Sequence, residues 1–147
     1  MTVLRNEMII DASVEKIWDA LSQVGELDKF DPTVLKSRTI SETRSGIGAA
    51  RKVDMKDGKN WFEEVCTLSK PNEALVYELT ACSFPVHQLR HSYSFEKIGQ
   101  RVRVRQTMEY KVKYGWVGEI LDALVIRRQT DSGIKQFFSG LKNYMEN

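Results

Sequence analysis

The C-terminal segment constrains this chain more than any other part. From Val117 to Tyr144 there is no proline, and apolar residues recur at helical spacing: Val117, Ile120, Leu121 and Leu124, then Ile134, Phe138, Leu141 and Met145. At ~1.5 Å per residue such a helix is about 42 Å long, enough to cross a whole domain. Its apolar stripe has a charged middle. Stepping about 100° per residue from Ile120 places Arg127 and Asp131 within about 20° of the stripe's centre. Burying an unpaired charge costs several kcal/mol, so both groups need partners or water. A helix that faces protein at both ends and carries charge between them predicts a wet cavity beneath it. The competing expectation is a solvated i,i+4 pair, or a kink at Gly133 that turns this stretch outward.

The order of the remaining elements says what such a helix lies against. Val3 to Ile10 reads as a strand. Ser13 then caps a helix that puts Val14, Ile17, Trp18 and Leu21 on one face. A short helical turn around Glu26 to Lys29 ends at Pro32. After it come six strand-like runs: Thr33 to Ser41, Ala49 to Met55, Trp61 to Leu68, Ala74 to Thr80, Leu89 to Glu96 and Val102 to Tyr114. Asp57-Gly58, Lys70-Pro71-Asn72 and Ile98-Gly99-Gln100 punctuate them as tight reversals. The layout is α+β: a seven-stranded curved antiparallel sheet wrapped around a long C-terminal helix, with two short helices between strands 1 and 2. Where sheet and helix do not meet, a ligand pocket opens.

Length and charge exclude several classes. A chain of 147 residues with no repeat or linker is one domain over 1–147, and its net charge of +2 gives no field for nucleic acid. No stretch reaches membrane-spanning length and the N-terminus lacks a signal-peptide pattern, so stable membrane insertion is not expected. Cys66 and Cys82 lie in strand-like runs and make no disulfide framework; a cytoplasmic, reducing setting is the expectation. A homodimer is compatible with this composition.

The chain resembles the START/Bet v 1-like (SRPBCC, helix-grip) superfamily, in particular its polyketide cyclase/dehydrase-like branch. The resemblance rests on Ile10-Asp-Ala-Ser-Val-Glu-Lys-Ile-Trp-Asp-Ala-Leu, Leu27-Asp-Lys-Phe-Asp-Pro-Thr-Val and Gly46-Ile-Gly-Ala-Ala-Arg51. It continues through Asp57-Gly58 with Phe62-Glu-Glu-Val, the strand ending at Tyr77, Phe84-Pro85-Val86, Tyr114-Gly-Trp-Val-Gly118 and Gly140-Leu-Lys-Asn-Tyr. Phe30 stands where that pattern often has tryptophan. The resemblance implies an internal cavity for lipids, polyketides or similar small molecules. It also implies a mouth near Gly46–Gly48 and Cys82–Val86, with Phe84 and Trp116 as its aromatics.

Strand parity selects the inward residues. In one run these are Leu89, His91, Tyr93 and Phe95; in the next, Val102, Val104, Gln106, Met108, Tyr110 and Val112; Leu75, Tyr77 and Leu79 share a third face. The alternate set on the last strand, including Arg101, Arg103, Arg105 and Glu109, reads as a solvated outer face. Arg51 stands opposite Glu64 if the Asp57-Gly58 turn is a two-residue type, and beside Glu63 if one residue bulges. Glu63 is carried forward as the cavity carboxylate, with the register open. His87 and His91 are ~13 Å apart on a strand, too far for one metal ion, and no cofactor is called for.

The candidate ligand-binding set is therefore Arg51, Glu63, Tyr77, Phe84, His91, Tyr93, Gln106, Met108, Tyr110, Trp116, Arg127 and Asp131. No catalytic residue can be assigned. The first functional expectation is binding or carriage of a small hydrophobic molecule. A second is a cyclase/dehydratase-type enzyme, with His91, Glu63 or Glu64, Tyr77 and Tyr110 moving protons and Arg51 or Arg127 steadying an enolate. A third, an interaction module, predicts a filled cavity and an exposed apolar patch.

Overall fold

The computed structural model describes residues 1–147. Strand β1 (Thr2–Ile10) leads into helix α1 (Val14–Ser22), whose N-cap Ser13 accepts a hydrogen bond from the Lys16 amide at 3.2 Å. A 3-10 turn (Val24–Lys29) follows, then β2 (Val34–Thr39), β3 (Ala50–Met55), β4 (Trp61–Lys70), β5 (Ala74–Cys82), β6 (Val86–Ile98) and β7 (Arg101–Val112). All pairings are antiparallel, in the order β1-β7-β6-β5-β4-β3-β2, so the first strand closes onto the last. The C-terminal helix comprises α2 (Gly115–Leu121), a π turn (Asp122–Ile126) and α3 (Arg127–Glu146). No helix is long and apolar enough to cross a membrane.

The main core lies under α3. Ile134, Phe137, Phe138, Leu141 and Met145 pack with α1 residues Val14, Ile17 and Leu21 and with sheet residues such as Val104. Phe30 joins them, its ring 5.9 Å from that of Phe137. Backbone meets backbone here: a Cβ on Gly140 would sit 2.0 Å from the Phe30 carbonyl oxygen, so only glycine allows the contact.

The helix departs from the sequence expectation in its first half. Val117, Ile120 and Leu124 do not face the sheet; they are exposed, Leu124 at 69%, and Leu121 is only partly covered. The residues that turn inward are Gly118 and Asp122. The cause is the π turn, in which the Arg127 amide donates to the Asp122 carbonyl five residues back. One residue inserted into the winding slips the phase by about 100°, so Ile120 and the buried Ile134–Met145 stripe, which share a face on an ideal wheel, lie on different faces. Ile134 is in phase with Asp122 instead.

Candidate functional site

Between the π turn, the first half of α3 and the concave face of the sheet lies a cavity of about 660 Å³, within the usual range for small-molecule sites. Its walls are mostly apolar, with Phe62, Leu89, Met108, Ile126 and Ile134 among them. Leu121 and Val125 line it while remaining partly exposed, and Phe84 stands across from them 6.3 Å from the Phe62 ring, so the opening has an apolar rim.

One wall is polar, and strand register builds it. Arg51 on β3 pairs directly with Glu64 on β4, the register that a two-residue turn predicts. Glu63 is the neighbour that faces the other way. It stands opposite Lys52 on the outer face of the sheet, where the Lys52 amine also lies 5.0 Å over the Trp61 ring. The cavity carboxylate is thus Glu64, and Glu63 leaves the candidate set.

Glu64 is 2% exposed and Arg51 4%, a depth at which an unpaired charge would be prohibitive. Each is the other's counter-charge. Arg51 Nε and Nη2 donate to Glu64 Oε2 at 3.1 and 2.9 Å, and His91 Nε2 lies 2.8 Å from Oε1. Burial pushes the Glu64 carboxyl upward, but His91 and Arg51 outweigh it and hold it at about 2, so the group stays ionised. The Arg51 guanidinium, which burial alone would weaken as a cation, is held charged by Glu64. Since Glu64 is an acceptor only, His91 carries a proton on Nε2.

Tyr77 supports this cluster from behind rather than lining the cavity. Its ring stacks on His91 with centroids 5.4 Å apart and receives Arg51 Cζ at 4.4 Å. Its hydroxyl donates to the Leu21 carbonyl at 2.8 Å. Further along, His91 Nδ1 is 3.2 Å from the Tyr93 hydroxyl, which accepts from Gln106 Nε2 at 3.0 Å. Burial drives the Tyr93 phenol pKa far up, so it remains a hydrogen-bond donor. The relay Glu64–His91–Tyr93–Gln106 ends in Gln106 Oε1, a buried atom without a partner. Chemically, it can orient a ligand by hydrogen bonds or move a proton along the His91–Tyr93 pair.

A second buried polar group lies outside the cavity wall, behind Tyr110. Asp122, 3% exposed, accepts from the Tyr110 hydroxyl and the Thr2 hydroxyl, each at 2.5 Å. It ties the π turn to β7 and β1.

Of the residues singled out from sequence, Arg51, Phe84, His91, Tyr93, Gln106, Met108 and Tyr110 line the cavity. Trp116, Arg127 and Asp131 do not. Trp116 is 73% exposed, on the outward face of α2. Arg127 reaches back to Asp122 at 3.6 Å with its side chain over half exposed. Asp131 is held outside by Asn6 of β1 at 2.9 Å and by Lys135 at 2.7 Å, so Arg127 and Asp131 do not pair. The charge expected from the helix comes instead from the sheet. The sequence reasoning missed Asp122, which tethers the π turn, and the helix residues Gln129, Thr130 and Gly133, which line the cavity. A carboxylate interrupting the apolar run Ile120-Leu-Asp122-Ala-Leu-Val-Ile126 was the available signal for the first.

Solved structures share this architecture. A protein of Thermus thermophilus matches with a TM-score of 0.81 at 17% identity, over 97% of this chain and 95% of that one. A START superfamily protein from Mycobacterium smegmatis gives 0.80 at 13% identity, over 98% and 97%. The di-domain ARO/CYC BexL of the BE-7585A biosynthetic pathway gives 0.77 at 12% identity, covering 99% of this chain and 47% of that one. Such identities establish the fold, which is the START/Bet v 1-like helix grip. A search of curated protein sequences finds no match. The family model described as polyketide cyclase / dehydrase and lipid transport matches residues 1–146, and the chain belongs to that family.

Proposed function

We propose that this protein binds and carries a small, largely apolar molecule in the cavity between its sheet and C-terminal helix. The observation that carries the proposal is the cavity itself: about 660 Å³, mostly apolar, with one polar wall and an apolar rim. A filled interior, the mark of a pure interaction module, is not what this fold contains. The two cysteines are both free, which fits the reducing setting that belongs to the same proposal.

Gly133 provides the test. It lines the cavity, and a Cβ built on it meets nothing within 4 Å. Gly133→Leu therefore fills cavity space while replacing a poor helix former by a good one. Titration with the neutral fluorophore N-phenyl-1-naphthylamine is expected to show binding to the wild type and at least tenfold weaker binding to the variant, with no loss of thermal stability. Equal binding by both would place the probe elsewhere and defeat the proposal.

The Glu64–His91–Tyr93 relay favours a second reading, a cyclase/dehydratase-type reaction in the same cavity. There Tyr93 would meet a substrate oxygen and His91 would move the proton. It predicts that a poly-β-ketone thioester gives a different product distribution with wild type than with His91→Phe. Identical distributions would leave binding as the sole activity.

A further inference from the structure

The first half of the C-terminal helix presents an apolar surface that the cavity alone does not account for. Tyr114, Trp116, Val117, Ile120 and Leu124 are each between 52% and 73% exposed. Single exposed apolar side chains are ordinary; a contiguous run of them is not. The buried attachment residue of α2 is Gly118, so the opposite side of the helix, centred near Ile120, faces solvent as one apolar stripe. The stripe continues into the ligand site, because Leu121 and Val125 are partly exposed and also line the cavity.

Cations bracket the stripe. Lys111 and Lys113 precede it and border the same surface hollow as Tyr114, and Arg127 and Arg128 follow one turn after Leu124. Of these four only Arg127 has an ion-pair partner, Asp122 at 3.6 Å. Glu119 is the only exposed carboxylate between residues 111 and 128. The outer face of β6 and β7 is the contrast: its Arg90, Arg103 and Arg105 are paired with Glu109, Glu96 and Glu7. A second copy of the chain fits the stripe poorly, since a two-fold contact there sets the unpaired cations against each other. A lipid surface fits it well. Tyr and Trp settle at the headgroup level, Lys and Arg reach the phosphates, and a short amphipathic helix lies along the interface. An acidic protein would meet the same charges but gives no reason for the stripe to run into the cavity.

Resting on the carrier reading above, we propose that α2 and the π turn dock reversibly on an anionic phospholipid membrane surface, with Trp116, Ile120 and Leu124 among the headgroups and Lys113 and Arg128 on the phosphates. Docking sets the Leu121–Val125 rim against the bilayer. An apolar ligand then passes between membrane and cavity without crossing bulk water.

Flotation of the full chain with sealed vesicles tests this. The wild type is expected to float with vesicles of mixed phosphatidylcholine and phosphatidylglycerol, and to bind pure phosphatidylcholine at least about tenfold more weakly. The double variant Trp116→Ser/Leu124→Ser changes two exposed side chains and is expected to bind the mixed vesicles at least about tenfold more weakly, with unchanged thermal unfolding. Arg128→Gln is expected to weaken the same binding about fivefold. Gly133→Leu, which fills the cavity, is expected to float as the wild type does, so the two readings fail separately. Loss of the carrier reading appears in the vesicle-free fluorophore titration with flotation intact, and loss of docking appears as the reverse. No flotation of the wild type with the mixed vesicles, or undiminished flotation of the double variant, would overturn the proposal. So would a vesicle-free wild-type dimer that the double variant dissociates in sedimentation, which would assign the stripe to a second copy.

Discussion

The two halves of the C-terminal helix follow opposite rules. Beyond the π turn, α3 is an ordinary amphipathic helix: Ile134, Phe137, Phe138, Leu141 and Met145 are buried and its charges face water. Before it, α2 shows Trp116, Val117, Ile120 and Leu121 to solvent and is attached to the sheet by Gly118 and Asp122. One half is held by packing and the other by a close approach and a carboxylate. The packed half anchors the fold and, with the π turn, roofs the ligand space; α2 adds only Leu121 to that roof.

The comparison can be broken at each attachment. Phe138→Ala removes a side chain 1% exposed at the centre of the packed half, and a loss of about 3–5 kcal/mol is expected in denaturant unfolding. A loss under about 1 kcal/mol would mean the packed half anchors nothing. Asp122→Ala leaves the Tyr110 and Thr2 hydroxyls without their acceptor and is expected to cost about 1–3 kcal/mol. Amide exchange should locate that effect: residues 115–126 faster, residues 134–146 unchanged. Faster exchange throughout would show the halves to be a single cooperative unit. Leu124→Ser changes an outward side chain and is expected to stay within about 0.5 kcal/mol by thermal unfolding. A larger destabilisation would mean that the apolar face of the first half is packed after all.

These differences also explain what was legible in the sequence. Sheet positions were readable because alternation along a strand has no adjustable parameter: His91, Tyr93, Gln106, Met108 and Tyr110 are inward by parity alone. The Arg51 partner needed a register, which parity does not supply: in β4, Trp61 and Val65 are apolar on one face and Phe62 and Cys66 on the other, so neither face stands out as the inward one. Tyr77 was rightly placed inward, yet parity cannot distinguish a cavity wall from the layer beneath it. Arg127 and Asp131 failed for a different reason. Both lie in α3 and keep α-helical spacing with Ile134 and Phe138, so a wheel places them on the stripe. It cannot show that Arg127 sits in an exposed turn and reaches back to Asp122, or that Asp131 meets Asn6 of β1 at the stripe's edge. Trp116 was misread because an aromatic residue near a mouth looks the same in sequence whether it points in or out.

The ion pair of Arg51 and Glu64 has one more consequence, and it concerns ionic strength. A pocket holding an unbalanced guanidinium would recruit a counter-ion, and every incoming ligand would have to displace it. Here the counter-charge is covalently part of the next strand, 2.9 Å away and shielded from the electrolyte. Loading and release of an uncharged guest therefore move no net charge, and its affinity is expected to stay flat as salt is raised through the physiological range.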